Sequence, residues 1–125
     1  MQHIGSAIPK ALESPKGSVV VIDEALISKA VEMSRKSARK RVILPLHKSS
    51  GDTLQRMLNA LQPGSYIQPH RHITPPKSEA QVVLRGTIGY VTFDDKGGIQ
   101  DCFVLSANTD NIGIDVQAGV YHTFF

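Results

Sequence analysis

From Lys40 onward the chain never runs far without a turn signal, and this punctuation limits the fold more than any other feature. Arg41 to Leu46 is a short β-rich run, closed by the turn His47-Lys48-Ser49-Ser50-Gly51-Asp52. Pro63-Gly64 is a turn, Glu79 to Leu84 a strand, Arg85-Gly86 a break and Thr87 to Phe93 a strand. Asp94-Asp95-Lys96-Gly97-Gly98 reads as a hairpin turn, with Ile99 to Leu105 pairing back. After a loop at Ser106 to Asn111, Ile112 to Val116 and Val120 to Phe124 flank a turn at Gln117-Ala118-Gly119. Many short strands with Gly and Pro turns predict a mainly β sandwich or barrel. Thr53 to Leu61 stays open: Leu54, Met57, Leu58 and Leu61 fit helical spacing, and period alone does not separate helix from strand.

The front of the chain has a different texture. Residues 1–17 are rich in Pro, Gly, Ser and Lys and read as a loose arm carrying His3, which has no expected role. Ser18 to Ile22 is a short β-branched run. Asp23 is a good N-cap and Glu24 suits the first turn. Leu26, Ile27, Ala30 and Val31 recur at helical spacing, which predicts one helix over about 23–38 with its apolar stripe against a sheet. At 125 residues, 41% hydrophobic and 20% charged, the chain reads as one globular domain over 18–125.

The net charge of +3 is mild, and much of it sits in Arg35, Lys36, Arg39, Lys40 and Arg41. Cations suit a helix C-terminus, and no aromatic residue interleaves with them, so a solvated helix end is preferred over a nucleic-acid surface. The single cysteine, Cys102, excludes an intrachain disulfide and a Cys-rich zinc ribbon, and is expected to pack as a small hydrophobe inside a strand. No apolar run approaches a membrane span and no signal-peptide pattern opens the chain, so the expected location is the cytoplasm.

The chemistry concentrates in Pro69-His70-Arg71-His72. On a strand, residues i and i+2 share a face, so the two imidazoles converge while Arg71 points away. Glu79 and His122 add a carboxylate and a further imidazole on β-type segments. Three histidines and a carboxylate suit one divalent transition metal: zinc, iron, manganese, nickel and copper all accept such ligands. Positions left open on the metal admit water or substrate. Tyr66, Gln68 and Gln81 are candidate pocket groups by strand parity with the ligands, whereas Tyr90 reads equally as packing.

These residues resemble a known pattern. Gly64, five residues, His70-Arg71-His72, then Glu79, six residues and Gly86 is similar to the first cupin motif; Gln117-Ala118-Gly119-Val120-Tyr121-His122 is similar to the second. The closer resemblance is to the WbuC family of cupin-fold metalloproteins, over roughly Val21 to Phe125. It takes in the helix, the Arg41 to His47 segment, Leu54 to Leu61 and Pro63 to His72. The resemblance implies a small cupin jelly roll (a double-stranded β-helix) with one N-terminal helix, and Thr53 to Leu61 as a strand. It implies His70, His72, Glu79 and His122 as metal ligands, and brings Arg41 and His47 in as pocket candidates. Such proteins are commonly encoded with surface-polysaccharide (O-antigen) genes, and fold alone does not supply their reaction.

The chain departs from the pattern in three places. Six residues separate His72 from Glu79, more than the general cupin spacing, so Ile73-Thr74-Pro75-Pro76-Lys77-Ser78 must bulge as a loop. Gln117 stands where the pattern has proline. The chain stops at Phe125, where cupins continue, which implies a truncated form or an edge covered by another segment or a second subunit. The expectation is therefore a divalent-metal protein, homodimeric, binding or acting on a small polar or sugar metabolite of polysaccharide synthesis. Glu79, if unbound, would serve as general base. An iron-dependent oxygenase and a non-catalytic sugar-binding or regulatory module are the alternatives, and no nucleic acid or membrane is expected as partner.

Overall fold

The computed structural model describes residues 7–125, so His3 lies outside the described residues. The fold is mainly β with one helix, and all strand ladders are antiparallel. No helix among the described residues is long and apolar enough to cross a membrane. The contacts cluster into two compact units, Met1–Ser65 and Tyr66–Phe125.

The first unit packs helix α1 (Glu24–Lys36) on the hairpin of β1 (Arg41–Pro45) and β2 (Met57–Leu61). Asp23 caps α1 as expected, its carboxylate accepting the Leu26 N–H at 2.9 Å. The helix stops at Lys36, two residues short of the expected end, because Ser37 turns extended and donates its N–H back to Met33 O and Ser34 O. Arg35 and Lys36 pair with Glu32 at 3.4 and 3.9 Å, both exposed. In the hairpin Val42 faces Ala60 and Leu44 faces Leu58. Period-2 alternation buries Val42 and Leu44, which with Leu12, Ala30 and Ala60 form the core. Only Met57 to Leu61 of the Thr53 to Leu61 run is strand. Ser34, fully buried on α1, donates to Val31 O at 2.6 Å and accepts from Gln62 Nε2 at 2.8 Å, so its hydroxyl is satisfied.

One expectation for the front needs correction. The described part of the arm is not loose throughout: Ala11 bridges Ile43, with Leu12 N–H donating to Ile43 O at 2.8 Å, and Leu12 is 7% exposed. Burying that leucine is worth about 2 kcal/mol, which holds the segment against β1. The β-branched run Ser18 to Ile22 joins no ladder, and Val19 and Val21 stand exposed.

The second unit holds two sheets. β3 (Glu79–Val82) pairs with β6 (Gly113–Val116), and β4 (Thr87–Phe93) lies between β5 (Ile99–Ser106) and β7 (Tyr121–Phe124). Asp94 to Gly98 closes the β4–β5 hairpin as read from the sequence, Asp94 Oδ1 accepting the N–H groups of Lys96 and Gly98. Among the described residues the sheets do not close into a barrel. β3 and β6, four residues each, pair only with each other. Cys102 corrects a further expectation: it is exposed, because β5 is an edge strand whose residues from Ile99 to Val104 all face solvent.

Candidate metal centre

The backbone brings the ligand candidates together through the chain end. His70 and His122 form an antiparallel bridge, His70 N–H donating to His122 O at 3.0 Å and His122 N–H to His70 O at 2.9 Å. The regular strand expected around His70 and His72 is reduced to this single bridge, since Pro69 and the turns after His72 leave no continuous ladder. The chain is still extended enough for both rings to point the same way. Arg71 takes the other side as read from the sequence: its guanidinium lies 4.4 Å from the Tyr121 ring centre and 3.8 Å from Asp95.

The turn at Gln117-Ala118-Gly119 delivers His122. Gly119 takes φ +86°, a conformation that suits glycine, and donates its N–H to His72 O at 3.3 Å. The segment 73–78 leaves as an exposed loop, and β3 then returns Glu79. On β3, Glu79 and Gln81 turn inward while Ala80 and Val82 are exposed.

His70, His72 and His122 each offer a ring nitrogen within 4.8 Å of the others. Glu79 joins them, Oε1 lying 2.8 Å from His72 Nε2 and Oε2 3.3 Å from His122 Nε2. His122 is 1% exposed, whereas His72 and Glu79 are half-buried, so the cluster has a closed floor and an open side.

Two ring tautomers follow from the carbonyls behind the imidazoles. His70 Nδ1 lies 2.9 Å from Gln68 O, and His122 Nδ1 2.9 Å from Val120 O. A carbonyl only accepts, so each Nδ1 carries the hydrogen and donates it, leaving Nε2 as a lone pair. This is the arrangement that orients metal-bound histidines. His72 Nε2 and His122 Nε2 are buried without a hydrogen-bond partner: the carboxylate is close, but off the line a hydrogen bond needs. A bare lone pair on His122 Nε2 against the Glu79 carboxylate is repulsive, and a cation shared by the two relieves it. The donor set thus fits a divalent metal, whose bonds of about 2.1 Å small ring rotations would complete.

The charges tell the same story. The His122 ring beside Glu79 holds the carboxyl below its ordinary range against the opposing effect of burial, and the His72 and His70 rings act in the same direction. Burial works to lower the His122 pKa, but the Glu79 carboxylate and the Val120 carbonyl outweigh it and the net shift is upward. Both shifts favour an ionised carboxylate beside a protonated ring over two neutral groups.

The remaining pocket candidates scatter. Gln81 shares the inner face of β3 with Glu79. Gln68 supplies the carbonyl behind His70 while its side chain is exposed, and Tyr66 is 71% exposed. Arg41 and His47 belong to the first unit, where His47 Nδ1 sits 2.8 Å from Arg56 O and 3.1 Å from the Arg56 nitrogen.

Thr92 escaped the sequence reading, which left Tyr90 open between pocket and packing. Thr92 faces His122 across the β4–β7 ladder, and Tyr90 faces Phe124 one step on. The Tyr90 ring stacks between those of His122 and Phe124, with centroids 5.7 and 5.8 Å away. Parity along β4 was legible; its register against β7 was not, and only the register sets these residues against His122.

The fold and cluster thus define a mainly β protein with a three-histidine, one-carboxylate site. The chain belongs to the DUF6016 family, a domain of unknown function, whose family model matches residues 22–105; the span contains His70, His72 and Glu79 and ends before His122. No curated protein and no solved structure matches the chain.

Proposed function

We propose that this chain is a cupin-type metalloprotein that binds one divalent transition metal through His70, His72 and His122, with Glu79 as the fourth ligand. The single observation behind this reading is the pair of buried, unpartnered Nε2 atoms of His72 and His122 converging on the Glu79 carboxylate. Leaving such atoms unsatisfied costs about 1–3 kcal/mol each, so a bound cation accounts for their burial.

The bound ion would act as a Lewis acid toward a carbonyl or hydroxyl oxygen. The chain's own residues hold the ring tautomers, close the His122 side to water and leave the His72–Glu79 side accessible. A small polar metabolite, with a sugar intermediate of surface-polysaccharide synthesis as the first candidate, follows from the likeness to the WbuC family. The jelly-roll description rests on the same likeness, supported by the antiparallel sheets that carry the ligands.

Metal analysis of purified protein tests the reading. We expect about one metal per chain in the wild type and almost none in a His70→Ala, His72→Ala variant. Equal metal content in both would sink the claim.

A further inference from the structure

Among the described residues, four buried side-chain atoms have no hydrogen-bond partner: His72 Nε2, His122 Nε2, Tyr90 Oη and Thr92 Oγ1. Two belong to the proposed ligand set. The other two sit on one face of β4, with Thr92 directly across the ladder from His122 and Tyr90 stacked against the His122 ring. Tyr90 is 0% and Thr92 8% exposed, and burial, with the Glu79 charge adding to it, pushes the Tyr90 hydroxyl's pKa up. Burying an unpartnered hydroxyl costs free energy, and native proteins leave few such groups. Two such groups on the strand face that packs against His122 point to a partner there.

We propose that Tyr90 and Thr92 form the ligand-binding floor of the centre, their hydroxyls donating to the oxygen of a small carboxylate held there; this rests on the metal reading above. The ligand class follows from charge and shape. A divalent ion with three neutral imidazoles and one carboxylate keeps a net positive charge, which a monoanion balances. A carboxylate offers one oxygen to the cation and a second to the hydroxyls. The stacked rings of Tyr90 and Phe124 give the floor an apolar wall.

Cobalt(II)-loaded protein titrated with glycolate, followed by visible absorbance, tests this. The wild type should respond, and Tyr90→Phe and Thr92→Val should each weaken glycolate by about fivefold or more, the loss of roughly one hydrogen bond, with cobalt content unchanged. Thr92→Ser, which keeps the hydroxyl, should bind like the wild type. Metal-free Tyr90→Phe and Thr92→Val should melt at or above the wild type, because each removes an unsatisfied buried group. Glycolate affinities equal to wild type, a loaded wild type indifferent to glycolate, or metal-free variants that melt well below it would overturn the floor; the last would mean a structural water only. A wild type that takes up no cobalt would overturn the centre and the floor together.

Discussion

His70 and His122 exchange both of their backbone hydrogen bonds, at 3.0 and 2.9 Å, so the ligand loop is tied to the last strand at the metal candidates themselves. The donors are therefore held together by main-chain pairing, and a metal that binds them should stabilise the fold. At a free metal concentration 100 times the dissociation constant the gain is about 2.7 kcal/mol, enough to raise Tm by on the order of 10 °C in a domain this size. Calorimetry with and without a chelator checks this; identical melting curves would count against it.

Glu79 contacts both His72 and His122, so its charge matters beyond its shape. Glu79→Gln keeps the volume and removes the anion. Metal affinity should fall by about tenfold to a hundredfold, with the strand pairing of β3 intact. Competition against a chromophoric chelator would measure the loss, and circular dichroism the fold.

The metal-free protein should have a stability maximum in mildly acid solution. Glu79 titrates below its ordinary value near 4.5, so its contribution is present above that value and is lost as pH falls through the lowered folded value. His122 titrates above its ordinary value near 6.5, so its contribution is full below 6.5 and is lost as pH rises through the raised folded value. Both are complete between these two ordinary values. Metal needs the rings unprotonated, so its stabilising effect should grow as pH rises past 6.5. Melting temperatures across pH 3–9, with and without metal, would show either this crossing or its absence.

Gly113 sits where β6 meets β3, and a Cβ there would lie 2.3 Å from the Gln81 backbone oxygen. The obstacle is main chain and cannot rotate away. Gly113→Ala should push β3 off β6, cost about 2 kcal/mol or more and weaken metal binding through Glu79. A control at Gly97, where a Cβ meets nothing within 4 Å but φ is +85°, should cost about 1 kcal/mol and leave metal uptake unchanged.

Leu44 is fully buried in the core of the first unit. Leu44→Ala should destabilise that unit by about 2–5 kcal/mol. Urea unfolding would register the loss; a change under 1 kcal/mol would mean the site collapses around the deletion.

Residue chemistry announced the helix cap at Asp23, the Asp94 to Gly98 turn and the β texture after Lys40, because each depends on neighbours a few positions away in the chain. The same local logic named His70, His72, Glu79 and His122, whose side chains are matched to metal chemistry whatever fold carries them. It failed where partners are distant. Leu12 looked like part of a loose arm until Ile43 was seen to pair beside it, and Cys102 looked internal until β5 proved to be an edge.

Local sequence thus contains the donors and the turns that aim them. The pairing of His70 with His122, and the register that sets Thr92 and Tyr90 beside the donors, come from contacts between residues far apart in the chain. Strand register depends on which faces become buried together, and a shift of one residue would turn both hydroxyls to the opposite face. No local pattern encodes that choice, because it is settled only when the sheets assemble.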